Sequence, residues 1–202
     1  MNSPLKLIEE SQKAARDTAD GNARFCQLAT VDAEGAPRVR SVIMHDVTEQ
    51  YIGCIFSKYH GKARHLEANG KFQVYVWHPT QGNQFMVNGV IEPMPHERLQ
   101  RYWDNFLSIR SKHLDLFYTT GVERRPAEVY PDRESLEKDY WEHVLKLETT
   151  QDELKMPDHV IGAHFLANRV EHLKVSDHDG RFHRRTLYRR DLEGWQSECL
   201  VP

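Results

Sequence analysis

Three side chains near the C-terminus, Arg181, His183 and Arg185, stand two residues apart in the run Arg181-Phe182-His183-Arg184-Arg185. Turn-like Asp177-His178-Asp179-Gly180 precedes the run and Thr186-Leu187-Tyr188 follows it, a pattern that predicts a strand over Arg181 to Arg190. Side chains alternate faces along a strand, so the three project from one side. Two guanidiniums and an imidazole on one face are costly to bury without a counter-charge. A phosphate or a carboxylate is the simplest ligand that supplies one.

Other residues fit the same chemistry. Lys62 follows Gly61 where a helix should begin, and exposed N–H groups beside an ammonium make a phosphate site. Arg38 and Arg40 share a strand face with Val42 and Met44. Gln84 opens the strand Gln84-Phe85-Met86-Val87-Asn88-Gly89-Val90, and its amide can both donate and accept at the edge of a heteroaromatic ring. Taken singly, each of these is an ordinary solvated residue; their combination with the C-terminal cluster carries the reading. Metal chemistry is not expected, because there is no H-E-x-x-H and His164, His172, His178 and His183 lack ligand spacing. No G-x-S-x-G elbow, C-x-x-C pair, P-loop or G-x-G-x-x-G is present. Trp77, Trp103 and Trp195 read as core or edge aromatics.

The elements that must position these residues are mostly strands. Ser3-Pro4 starts a helix that runs to about Asp20 and stops at Gly21-Asn22. Strands are predicted over Phe25 to Val31, Pro37 to His45, Gln50 to Ser57, Phe72 to Trp77 and Gln84 to Glu92, with a short helix from Gly61 to Asn69. Leu99, Tyr102, Trp103 and Phe106 fall at helical spacing, as do Leu136, Tyr140, Val144 and Leu147. Four strands close the chain: Val160 to Ala167, Val170 to Val175, Arg181 to Arg190, and Trp195 to Leu200. Hairpins with short helices between them predict an antiparallel barrel or sandwich rather than a doubly wound parallel sheet.

Bulk composition narrows the partners. The 202 residues suit one domain, with helical segments over about 95–151 and a closing strand region over about 160–202. A formal net charge of -3 and the absence of a nucleic-acid motif argue against a nucleic-acid stripe, despite five arginines between Arg181 and Arg190. Cys26, Cys54 and Cys199 form no pair by spacing, as expected of a reduced, cytoplasmic protein. No apolar run reaches about 18 residues, so no membrane partner is expected. Met1 to Arg16 lacks the apolar segment of a signal peptide.

Nearly the whole length resembles the pyridoxamine 5'-phosphate oxidase family of FMN-binding split barrels. Leu28-Ala29-Thr30-Val31-Asp32 with Gly35-Ala36-Pro37-Arg38-Val39-Arg40 resembles its opening hairpin, and Phe56-Ser57 with Lys62-Ala63 its phosphate loop. Gln84 to Gly89 resembles its central strand, and Arg181 to Arg185 with Leu187 to Arg190 its C-terminal signature, the most specific of these motifs. The resemblance implies a mainly β Greek-key split barrel with flanking helices, a homodimer, and an FMN-dependent oxidase forming pyridoxal 5'-phosphate with oxygen as acceptor. It implies that Arg40, Ser41, Val42 and Ile43 line the flavin. Phe56, Ser57 and Lys62 are implied at its phosphate or ribityl chain, and Gln84 and Arg185 at the flavin itself. Arg181 and His183 are implied to hold and orient the phosphorylated pyridoxal-type substrate, with Tyr102 and the residue at position His45 also on the substrate side.

Several positions depart from the family's pattern. His45 stands where a substrate-reaching Lys is usual, Ser57 to Lys62 is a short loop without the usual Arg, and Leu173 replaces a flavin-contacting Trp. Thr119-Thr120-Gly121 does not carry the expected Gln-Ser pair, and Arg110 and Ser111 align with the substrate-phosphate Arg and Ser only loosely. These departures keep two alternatives open: a flavin oxidoreductase with another substrate, and a non-catalytic FMN- or haem-binding split-barrel protein.

Overall fold

The computed structural model describes residues 3–105, 109–118, 129–150, 154–176 and 182–201, with side chains 109–111 and 150 left out. Arg181 and its preceding turn lie outside the described residues, as do Phe106, Thr119 to Gly121 and the side chains of Arg110 and Ser111. Two compact units divide the chain. The first comprises residues 1–55, 65–93 and 163–202, and the second comprises residues 56–64 and 94–162.

The first unit holds nearly all of the sheet. Helix α1 (Leu5–Asp17) buries Leu5, Ile8, Ser11, Gln12 and Ala15, one stripe at helical spacing. It ends three residues before Asp20, whose carboxylate accepts hydrogen bonds from the Asn22 N–H at 2.9 Å and the Thr80 N–H at 3.1 Å. Strands β1 (Phe25–Val31) and β2 (Pro37–Ile43) form the predicted hairpin, with Gly35 at φ 84° supplying the left-handed turn residue. The strands β3 (Asp46–Val47), β4 (Tyr51–Ser57), β5 (Phe72–His78), β6 (Asn83–Pro93) and β7 (Val160–Lys174) complete the order β2-β1-β5-β6-β7-β4-β3. The strands β8 (Arg184–Asp191) and β9 (Gly194–Leu200) form a hairpin added to β7 along Arg169–Lys174. The pairs β1–β2, β1–β5, β3–β4, β5–β6, β6–β7, β7–β8 and β8–β9 all run antiparallel. This is the mostly antiparallel half-barrel with a few helices that the hairpin pattern predicts.

The interior face carries Leu28, Val74, Val76, Phe85, Val87 and Val170, all fully buried. One close approach marks the β6–β7 ladder. The β6–β7 register slips between Asn88 and Gly89, so Asn168 is the extra residue of a bulge. A Cβ at Gly89 would lie 1.8 Å from the Leu166 carbonyl oxygen, and only glycine fits there.

The second unit carries the remaining helices. Helix α2 (Gly61–Asn69) begins in it, and α3 (His96–Asn105), α4 (Ile109–Phe117) and α5 (Arg133–Thr150) lie within it. Leu99, Tyr102 and Trp103 are buried on α3, and the Trp103 indole N–H donates to the Leu154 carbonyl at 2.6 Å. Helix α4 has no apolar period in the sequence to announce it, and its Phe117 packs edge-on to Tyr140 of α5 at 5.5 Å.

Several boundaries differ from expectation. β2 ends at Ile43, two residues early, because His45 turns away to donate its N–H to the Gly53 carbonyl at 2.9 Å. The two strands expected over Val160 to Val175 are one 15-residue strand, since the bulge at Asn168 lets the ladder run through. β8 starts at Arg184, because pairing with β7 begins at Lys174↔Arg184. His183 therefore lies before the strand, where its Nδ1 accepts the Ser176 N–H at 3.3 Å, and strand alternation does not align it with Arg185.

Candidate functional site

In antiparallel strands, directly opposed residues point to the same face. The register therefore draws two parallel rows across the outward face of the first unit's sheet. One row runs Trp77, Gln84, Leu173, Arg185, Leu200 through β5, β6, β7, β8 and β9. The other runs Ser41, Gln27, Tyr75, Met86, Glu171, Leu187 through β2, β1, β5, β6, β7 and β8. Gln84, Leu173 and Arg185 thus become neighbours although they come from distant parts of the chain. Tyr75 donates its hydroxyl to Gln84 Oε1 at 3.2 Å, which leaves the Gln84 amide N–H groups to donate elsewhere.

Arg185 is anchored on the same face. Its Nε donates to Glu171 Oε1 at 2.6 Å, and its Nη2 is in closer contact with the same oxygen. Arg169 Nη2 donates to Glu171 Oε2 at 3.2 Å. Glu171 is only 5% exposed, so both arginines neutralise a carboxylate with little access to water. The sequence reading missed Glu171. Alternation already puts Arg169 and Glu171 on one face, but the tie to Arg185 depends on the β7–β8 register.

The four β2 residues divide between faces. Ser41 and Ile43 lie on the outward face with Gln27 and Phe25, whereas Arg40 and Val42 lie with Leu28 and Cys26 on the other. Arg40 Nη1 donates to the Leu28 carbonyl at 3.0 Å and to Thr30 Oγ1 at 2.7 Å, and Thr30 Oγ1 also bonds His65 Nδ1 at 3.0 Å. Arg38 instead holds Asp32 through a 2.7 Å ion pair, which keeps that carboxyl below its usual range.

His183 and Arg185 share a groove of about 740 Å³ with Lys174, Phe182, Arg184 and Cys199. His45 is not part of it. It lines a separate groove against α1 with Lys6, Gln12, Lys13 and Arg16, and burial together with nearby Arg24 lowers its pKa to about 4.

In the second unit, Phe56 and Ser57 are buried, and the Lys62 ammonium lies 5.3 Å from the centre of the Phe56 ring. The Ser57 N–H donates to His60 Nδ1 at 3.2 Å, and Ser57 Oγ accepts the Tyr59 N–H at 3.2 Å. Tyr102 is buried on α3 in the same unit. Among the described residues, no cluster of His, Cys, Asp or Glu could hold a metal ion, and no helix is long and apolar enough to cross a membrane.

The sequence profile of the pyridoxamine 5'-phosphate oxidase family matches residues 12–135. The chain belongs to this family. A pyridoxine/pyridoxamine 5'-phosphate oxidase of Anaeromyxobacter dehalogenans is 27% identical over 199 residues, covering 98% of this chain and 95% of the relative. One from Pectobacterium atrosepticum is 29% identical over 202 residues, covering 98% and 83%. Among solved structures, PhzG from Burkholderia lata, in complex with tetrahydrophenazine-1-carboxylic acid, superposes with a TM-score of 0.85 at 20% identity over 100% of this chain and 94% of its own. An FMN-binding protein related to pyridoxamine 5'-phosphate oxidase, from Nostoc punctiforme, superposes with a TM-score of 0.71 at 18% identity, covering 98% and 96%. These superpositions establish the split-barrel fold.

Proposed function

We propose that this family member is an FMN-dependent oxidoreductase that converts pyridoxamine or pyridoxine 5'-phosphate into pyridoxal 5'-phosphate, working as a homodimer in the cytoplasm. The observation that carries the reading is the row Gln84–Leu173–Arg185, which sets an oriented amide and an anchored guanidinium on one open sheet face.

The donor chemistry on that face fits a flavin. The free Gln84 amide N–H groups and the Arg185 guanidinium suit the carbonyl and nitrogen acceptors of an isoalloxazine edge, and Leu173 between them offers an apolar contact. Arg40, Ser41, Val42 and Ile43 are assigned to the flavin from β2, Ser41 and Ile43 from that face and Arg40 and Val42 from the opposite one. Phe56, Ser57 and Lys62 are assigned to its phosphate or ribityl chain, Lys62 as the counter-charge. When bound, FMN supplies acceptance of a hydride from C4' of the substrate and return of the electrons to oxygen as peroxide.

The chain's own contribution is binding and orientation. His183 accepts the Ser176 N–H at Nδ1, which places its proton on Nε2 and presents a donor to a substrate oxygen. Arg181 is assigned to the same substrate, and Tyr102 to its phosphate. Alignment of this kind can supply several kcal/mol of a barrier, of order 7–11 in favourable intramolecular cases. Anaerobic addition of pyridoxine 5'-phosphate to FMN-loaded protein tests the reading. Bleaching of the flavin absorbance, then recovery with peroxide in air, supports it. Retained flavin that never bleaches rejects it.

The position of His45 favours a second reading, a flavin oxidase with a different anionic aromatic substrate. In the structure His45 lines the α1 groove and not the groove of His183 and Arg185. Turnover of another substrate, with none of either vitamer, selects this reading.

A further inference from the structure

The loop from Ser57 to Lys62 contains a residue that the assignments above leave out. Ser57 and His60 bond to each other twice: the Ser57 N–H donates to His60 Nδ1 at 3.2 Å, and the His60 N–H donates to the Ser57 carbonyl at 3.0 Å. Because Nδ1 is an acceptor, the ring proton of a neutral imidazole resides on Nε2. Burial, Lys62 and His159 lower the His60 pKa to about 4, so the ring is neutral at physiological pH. Among the described residues Nε2–H has no partner, and it lies outside the set of fully enclosed unpaired atoms. A fixed, solvent-reachable donor therefore stands at the residue just before α2.

The surroundings suit an anion. Residues 56–64 include Lys58, Lys62 and Arg64 and no acid. Behind the loop lies His159, 2% exposed, with neither ring nitrogen partnered among the described residues. Its ring stacks on Tyr59 at 5.2 Å, and its carbonyl accepts the Lys58 N–H at 2.8 Å. The loop that covers this buried imidazole is cationic.

We propose that His60 is a phosphate-binding residue of this loop, its Nε2–H bonding a phosphate oxygen beside the Lys62 ammonium. The inference rests on the reading that this loop takes the flavin phosphate. It gives the short loop a second directional donor in which a neutral ring, held by Ser57, does the work of a second cation.

The test compares FMN with riboflavin, which lacks the phosphate, by quenching of flavin fluorescence. The variants are His60→Ala, His60→Met and His60→Gln, of which only Gln retains an N–H near the Nε2 position. Loss of one hydrogen bond to a charged group should weaken FMN about 10- to 100-fold in the Ala and Met variants. Riboflavin affinity should stay unchanged, and His60→Gln should recover part of the loss. His60→Met fills the ring's space, so it carries the comparison if His60→Ala does not fold. An FMN-to-riboflavin ratio equal to wild type in both donor-free variants overturns the proposal while leaving the flavin reading intact. Equal weakening of both flavins shows a loop-shaping role and also overturns it. Wild-type protein that holds neither flavin removes the functional reading and this inference with it.

Discussion

Glu171 is the residue whose replacement tests the site most directly. Its side chain is 6% exposed, while the Arg185 and Arg169 side chains that grip it retain 35% and 36% exposure. Breaking a buried ion pair costs about 3–5 kcal/mol because one charge is left without a partner. The cost depends on which charge is stranded. In Glu171→Gln the stranded charges are two arginines that water can reach, so the loss should be about 2 kcal/mol. In Arg185→Met the stranded charge is the buried carboxylate, left among the described residues with the 3.2 Å contact to Arg169, and the loss should reach about 3–5 kcal/mol. Arg169→Met keeps the shorter Arg185 contacts and should lose about 1 kcal/mol. Urea unfolding of the three variants measures the series, and for a chain of 202 residues each kcal/mol lowers Tm by about 2–4 °C. If Arg185→Met is no more destabilising than Arg169→Met, Arg185 is not the anchor and the outward row is not held as described. Glu171→Gln also reports on function, since an Arg185 freed from Glu171 should bind FMN more weakly even where the fold survives.

Gly89→Ala forces a Cβ to within 1.8 Å of the Leu166 carbonyl oxygen, well inside ordinary C···O contact, so the bulge must reopen. The expected loss is about 3 kcal/mol or more, with a soluble yield well below wild type, and a wild-type Tm would refute the bulge. Stability should also fall as pH drops from 7 to 5. His172 is lowered to about 4 by burial, Lys174 and Arg184, so in that window the unfolded chain binds a proton that the folded chain does not. With allowance for solvent, His172→Gln should reduce this pH-dependent loss by about 1 kcal/mol; an unchanged pH profile would contradict the assignment. Ser11 bonds buried His78 Nδ1 at 2.8 Å and accepts the Asn83 amide N–H at 3.0 Å, tying α1 to β5 and β6. Ser11→Ala should cost about 1–3 kcal/mol and raise proteolysis of the N-terminal helix, and normal protease resistance would show that the apolar stripe alone holds it.

Much of the architecture is legible along the chain. The period-2 runs at Phe25–Val31 and Phe72–His78, the Gly35 turn and the spacing of Leu99, Tyr102 and Trp103 each encode their element locally. Alternation and helical period are properties of adjacent residues, so no distant contact is needed to read them. The cationic C-terminal run, Lys62 at the start of α2 and Gln84 at the head of β6 were visible in the same way, as residue types beside local punctuation.

Neighbours across strands could not be read locally. Which side chain lies opposite Gln84 depends on the register of β6 against β7, and that register shifts by a residue at the Asn88/Gly89 bulge. A one-residue slip would exchange the faces of every residue beyond it, so the union of Gln84, Leu173 and Arg185, and the grip of Glu171 on Arg185, are decided by tertiary pairing alone. The positions of His183 and His45 follow the same rule. Both lie just outside strands whose ends are set by where ladder pairing starts and stops, and the hydrogen bonds that hold them, from Ser176 and to Gly53, come from other segments of the chain. The residue types that make an anion site are therefore written in the sequence, while the face each one joins is set by long-range hydrogen bonding between strands.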